Sequence, residues 1–206
     1  MFTNTIASPA KRALEIITKF NLANDFYLAG GTGASLQLGH RISVDLDFFT
    51  GKSFDTESFS NLLFLSGIKI SELEKSAGTV KFFLEGARIS FFEYPYQLVV
   101  PPLAYDGIEL AELIDIALMK IVAIANRGSK KDFVDLYMIC KKYPLQELLD
   151  NFDKKFSKIF NKYQFIKALT YFADADKDPD PNMLIEWDWS KIKTFFIKSS
   201  TSIKFL

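Results

Sequence analysis

Residues 26–49, FYLAGGTGASLQLGHRISVDLDFF, constrain the fold more than any other stretch. Two apolar runs are joined by a glycine pair and a short amphipathic turn, and the second run carries two aspartates. Phe26-Tyr27-Leu28-Ala29 is stopped by Gly30-Gly31, residues that tolerate positive φ and close backbone approach, so it predicts a short buried strand. Residues 32–38 set Ala34, Leu36 and Leu38 among small and polar residues, which predicts a short helix directly after the glycines. The first N–H groups of such a helix have no partner within it. They can hold a phosphate, glycine lets the anion reach the backbone, and Thr32 adds a hydroxyl donor.

Residues 44–49, VDLDFF, alternate as a strand, and the period of two puts Asp45 and Asp47 on one face with roughly 6.5–7 Å between their α-carbons. Two converging carboxylates beside a phosphate-binding turn suit a Mg²⁺ that keeps several waters and shares the phosphates of a nucleotide. The plainer alternative is a strand ended by a glycine turn and an edge strand with exposed aspartates. Glycines and aspartates taken singly favour that alternative; their combined spacing favours the site.

This pattern resembles the signature of the polymerase-β-like nucleotidyltransferases: Gly30-Gly31-Thr32 at a strand end, a short helix, then Asp45-Leu46-Asp47 on the next strand. More specifically, the glycine motif, the His40-Arg41-x-Ser43-x-Asp45-Leu46-Asp47-Phe48-Phe49 segment and a later Lys130-Lys131-Asp132-Phe133-x-Asp135-Leu136-Tyr137 are similar to the AbiEii/AbiGii-type toxin family. The resemblance implies an α+β fold, with a small mixed nucleotidyltransferase sheet flanked by helices and then a C-terminal helical bundle. It also implies a Mg²⁺-dependent enzyme that moves a nucleoside monophosphate from an NTP to an acceptor, RNA of the tRNA kind in some relatives. Its partner would be a cognate antitoxin. The position corresponding to the family's third carboxylate is Ser90, and Glu93 lies three residues on, on the opposite strand face. Three solutions stay open: Glu93 reaches the metal through a bulge, Asp132 or Asp135 supplies the carboxylate, or two aspartates suffice. Two rival functions follow: a non-catalytic nucleotide- or RNA-binding module of the same fold, and a nucleotidyltransferase acting on protein.

Other residues point to the same chemistry. Lys120 interrupts an apolar helix face, where an ammonium needs an anion: a triphosphate would supply one, and this lysine matches the helix lysine of the family, while the plainer alternative is a lysine that snorkels from the helix edge. Arg41, in the turn before the aspartates, is within reach of both them and the phosphates, and Ser43 lies on the face of Asp45. Arg127, Lys130 and Lys131 cluster at a helix start, where they could meet phosphates or an acceptor RNA. Asp132 and Asp135 share a helix face near its start: the plainer reading is capping and a salt bridge with Lys131 or Arg127, the functional one is that Asp132 orients Lys120, Arg41 or Lys131 at the nucleotide, and Asp135 is a candidate for a structural role. His40, the single histidine, has no partners for a zinc set or a triad and reads as a turn residue.

The remaining sequence sets bounds. Lysines and arginines equal the acids in number, so no overall field argues for nucleic acid and any RNA contact requires a local patch. A lone cysteine, Cys140, excludes an internal disulfide framework and fits the cytoplasm, and no window approaches a membrane span. Helices are predicted over residues 8–20, 55–66, 109–126, 130–143, 145–160, 162–173 and 189–198, and an antiparallel meander over 68–94. Prolines and Asp106-Gly107 mark a boundary near residue 105, between a nucleotidyltransferase-like unit (1–105) and a helical unit (106–206). The acidic stretch ADADKDPDPN lacks the glycine and glutamate of a calcium loop and reads as a solvated, proline-stiffened loop.

Overall fold

The computed structural model describes residues 1–156 and 159–203. Its centre is a mixed sheet of seven strands: β1 (Tyr27–Leu28), β2 (Leu46–Thr50), β3 (Ser71–Ser76), β4 (Thr79–Leu84), β5 (Ala87–Glu93), β6 (Leu103–Tyr105) and β7 (Ile108–Leu110). They run in the order β3-β4-β5-β2-β1-β7-β6. The β3–β4–β5 meander is antiparallel as expected, while β2 pairs with β5, and β1 with β7, in parallel. The β6–β7 hairpin was not legible as strand. Its turn is Asp106-Gly107, both at positive φ (48° and 79°), the backbone that reverses tightly between twisted strands. The sheet therefore takes its last strand, β7, from beyond the expected boundary at residue 105.

Period-two alternation gives the sheet two different faces. Leu46 and Phe48 of β2, Phe82 of β4 and Ile89 and Phe91 of β5 point to one side, where α1 (Ser8–Lys19) supplies Ala10, Ala13, Leu14 and Ile17 and α3 (Thr56–Leu65) supplies Leu63. Each fully buried phenylalanine contributes ~1.5–3 kcal/mol of transfer free energy. Ser8 is the first helical residue of α1, and Ala7 takes the cap position without a side-chain bond. Asp55 does cap α3, accepting from the Glu57 and Ser58 N–H groups.

The other face meets the helical layer: α2 (Gly30–Leu38), α4 (Leu113–Arg127), α5 (Lys130–Cys140), α6 (Leu145–Phe156), α7 (Lys162–Ala168) and α8 (Trp189–Thr201). Of the helix expected over 145–160, residues 157–158 lie outside the described residues, and the helix expected over 162–173 stops at Ala168. A buried ion pair, Lys155 Nζ to Asp115 Oδ1 at 2.7 Å, ties α6 to α4. The same carboxylate accepts the N–H groups of Val99 and Val100, so the loop before β6 is held as well. No helix among the described residues is long and apolar enough to cross a membrane.

Candidate active site

The helix after β1 starts at Gly30, two residues earlier than the periodicity suggests, because the glycine pair itself forms its first turn. Gly30 has φ +61°, and a β-carbon there would stand 2.9 Å from Asp47 Oδ2. A β-carbon on Gly31 would stand 2.3 Å from Arg41 Nη2. Bare backbone thus lets the uncapped start of α2 abut both the aspartate and the guanidinium. Ala29 N–H donates to the Asp47 carbonyl at 3.0 Å, which joins the glycine turn to the aspartate strand.

β2 starts at Leu46 rather than Val44, so Asp45 sits in the approach to the strand. That approach is pinned from behind by Thr32, whose hydroxyl donates to the Asp45 carbonyl and lies 2.8 Å from Ser43 Oγ. Thr32 is buried and does not reach the cavity; its hydroxyl shapes the loop instead of facing a phosphate. Asp47 lies directly across the parallel β2–β5 pairing from Ser90 and accepts that side chain's hydrogen bond. Burial, then the charge of Asp45, pushes the Asp47 carboxyl above the usual carboxylate range, against the pull of Lys120, the Ser90 bond and Lys131. Glu93 also lines the cavity and accepts from Ser53 Oγ at 3.1 Å. Among the described residues no three His, Cys, Asp or Glu side chains converge on one metal position.

Behind the aspartates lies a buried ion network. Lys120 Nζ stands 2.7 Å from Asp132 Oδ1 and 2.6 Å from Asp135 Oδ2, so the anion that its buried position demands comes from α5 and not from a ligand. Asp135 also takes Arg41 through Nε (2.6 Å) and Nη2 (2.8 Å) and His40 through Nε2 (2.8 Å), filling the acceptor positions of both its oxygens. Burial alone would raise Asp135, but Arg41, Lys120 and the His40 bond hold it well below the usual range. Asp132 is lowered in the same way by Lys120 and Arg127. Arg127 donates to both Asp132 oxygens, at 2.7 and 3.0 Å, while most of its side chain stays exposed. Lys131, one residue before Asp132 on α5, is exposed. Lys130, by contrast, is buried and bound to the Asp178 carbonyl and to Asp180 Oδ1, so it does not face a ligand.

One cavity of about 750 Å³ collects Gly30, Gly31, Arg41, Ser43, Asp45, Asp47, Lys120, Lys131 and Asp132. Three features of its wall were missed from the sequence. Phe49, Phe92 and Tyr94 form an aromatic side; Phe49 is two residues after Asp47, so strand alternation could have placed it. Asn126 joins Arg127 at the end of α4. Residues 178–182 close the far side, held by Lys130 and by backbone bonds of Ile42 N–H to the Asn182 carbonyl (2.8 Å) and Leu184 N–H to the His40 carbonyl (2.9 Å). The acidic stretch, expected as a solvated loop, is thus a wall of the site, and only tertiary pairing reveals it.

Residues 12–70 match the profile of the nucleotidyl transferase AbiEii toxin family of type IV toxin–antitoxin systems. The chain is 41% identical over 192 residues to the uncharacterised protein aq_aa25 of Aquifex aeolicus (strain VF5), covering 90% of this chain and 91% of that one. Among solved structures it is similar to JHP933 from Helicobacter pylori, with 16% identity, a TM-score of 0.54 and coverage of 95% of this chain and 92% of that one. It is equally similar to a candidate nucleotidyltransferase from H. pylori, with 16% identity, a TM-score of 0.54 and coverage of 93% and 91%. At that identity the likeness shows the nucleotidyltransferase fold.

Proposed function

Because this chain belongs to the AbiEii nucleotidyltransferase family, we propose that it moves a nucleoside monophosphate from a Mg²⁺-bound NTP to a terminal hydroxyl of RNA, of the tRNA kind, as the toxin of a pair with a cognate antitoxin in the cytoplasm. The observation that carries this reading is the convergence, in one cavity, of the Gly30-Gly31 helix start, the two aspartates and the cations of α4 and α5. Asp45 and Asp47 would hold the metal. Their donor set suits Mg²⁺, and a bound cation would offset both the burial of the Asp47 carboxylate and the charge of Asp45 beside it. When bound, the ion supplies Lewis-acid polarisation of the α-phosphoryl group.

The chain's own residues do the rest by position and charge. The free N–H groups of Gly30 and Gly31 hold phosphate oxygens, and Lys131, Arg127 and Asn126 face them from α4 and α5. Arg41, fixed by Asp135, closes the anion site beside Gly31. The acceptor oxygen forms a bond to the α-phosphorus while the bond to the bridging oxygen breaks; pyrophosphate departs with the electron pair, and the hydroxyl proton passes to water. Ser90, standing where the family's third carboxylate is expected, orients Asp47 and cannot act as a base.

That serine also favours a second reading, a module that binds nucleotide without turnover. One experiment separates the two: transfer of label from each α-labelled NTP, with Mg²⁺, to small RNA and to cell protein, with Asp45→Asn as control. Label on RNA that is lost in the variant is the expected result. Label on protein would overturn the acceptor, and Mg²⁺-dependent nucleotide binding without any label would overturn catalysis.

A further inference from the structure

Beyond the cavity the ligand-facing side of the sheet continues outward over β5 and β4. The helices α1 and α3 pack on these strands from the opposite side, against Phe82, Ile89 and Phe91. On the cavity side Lys81, Phe83 and Phe92 remain half-buried and Arg88 exposed. The register places them in rows: Lys81 pairs with Ser90, Phe83 with Arg88 and Thr79 with Phe92. Ser90 in turn pairs with Asp47, and Phe92 with Phe49. One row therefore leads from the aspartate through Ser90 to Lys81, and the next from Phe49 through Phe92.

The rings of Phe49 and Phe92 stack at 5.1 Å and 26°, and Lys81 Nζ lies 5.8 Å from the Phe92 ring centre. Among the described residues neither Lys81 nor Arg88 closes an ion pair, and Glu74, across from Lys81 on β3, does not engage it. An open sheet face on which aromatic rings alternate with unpaired cations holds single-stranded nucleic acid: the rings stack bases and the cations meet phosphates. Because the chain as a whole is neutral, such a local patch is what an RNA contact requires.

We infer that the β4–β5 face is the acceptor platform, on which a single strand lies with bases on Phe92 and Phe83, phosphates at Lys81 and Arg88, and its terminal hydroxyl at Asp47. The placement of that hydroxyl rests on the transferase reading above; the binding surface does not. The test is fluorescence anisotropy of a labelled short single-stranded RNA over a salt series, with the full chain. The Lys81→Ala/Arg88→Ala double variant should bind about tenfold more weakly, with the slope of log affinity against log salt reduced by about 1.4. Glu74→Gln, an exposed change, should tighten binding. Phe83→Ala should weaken it with the salt slope kept. Affinity for Mg-ATP, read by calorimetry, should be the same in all of them.

Absence of RNA binding by the unaltered protein, or a wild-type salt slope in the double variant, overturns the platform. If the double variant labels RNA at subsaturating concentration as well as the unaltered protein does, the platform is wrong and the transferase reading stands. If the unaltered protein labels nothing while the double variant loses RNA binding as expected, the transferase reading fails and the platform stands.

Discussion

Replacing Asp135 by asparagine perturbs the buried network on which the cavity is built. The carboxylate is fully buried and receives Arg41 twice (2.6 and 2.8 Å), Lys120 (2.6 Å) and His40 (2.8 Å). Asparagine keeps the shape, but it removes the charge and turns a donor toward other donors. Two buried cations are then left with Asp132 as their nearest anion. Removing one partner of a buried ion pair costs about 3–5 kcal/mol. In a chain of this size each kcal/mol moves the melting temperature by roughly 2–4 °C, so Tm should fall by about 6–20 °C at pH 7. Urea unfolding at neutral pH should show a lower midpoint at unchanged slope.

The pH dependence adds a second check. Asp135 is held well below its ordinary value in the folded state, so its stabilisation is complete above the unfolded value near 3.9 and is lost as pH falls toward the folded one. Arg41 and Lys120 are raised, so their contributions are complete below their unfolded values and stay constant between acid and neutral pH. The stability gap between the unaltered protein and Asp135→Asn should therefore be full at pH 7 and close only below about pH 4. A Tm within about 2 °C of the unaltered protein at pH 7, or a gap that widens in acid, would refute the reasoning.

Gly31→Ala places a β-carbon 2.3 Å from Arg41 Nη2. It should cost about 1–3 kcal/mol of stability and weaken Mg-ATP binding together; unchanged calorimetric affinity would show that Arg41 is not part of the anion site. Asp47→Asn should abolish Mg²⁺-dependent nucleotide binding and yet raise the Tm of the metal-free protein, by about 1 kcal/mol of stability. The sign follows from the raised Asp47 carboxyl: the folded state binds the proton more tightly, so stability is lost as pH rises from the unfolded value through the folded one, and the neutral amide escapes that loss. A lower Tm for the variant contradicts it. Lys155→Met should lower stability by about 3 kcal/mol by stranding Asp115, and adding Asp115→Asn should restore part of it; simple additivity of the two losses in urea unfolding would disprove the coupling.

Much of the site could be read along the chain because its parts are local. The glycine turn, the short helix and the aspartate strand occupy residues 26–49, and period two alone puts Asp47 and Phe49 on one face. Helical spacing placed Asp132 and Asp135 side by side, and both do meet Lys120. Lys120 shows where such reading stops. An ammonium on an apolar face demands an anion, but local spacing does not say whether a carboxylate on another helix or a ligand provides it.

What the sequence by itself determined, then, is the class of chemistry and the elements that carry it: period, glycine placement and residue type act over a few residues, and they suffice for a strand–turn–helix–strand with two carboxylates. Tertiary structure alone decided the rest. It spent the Thr32 hydroxyl on the Asp45 loop, gave Lys120 to Asp132 and Asp135, withdrew Lys130 to Asp178 and Asp180, and brought residues 178–182 against Arg41 to wall the cavity. It also left the β4–β5 face open beside Asp47. These outcomes depend on which groups meet across long separations in the chain, where the energy of burying a charge or a hydroxyl is settled by the partner that packing delivers.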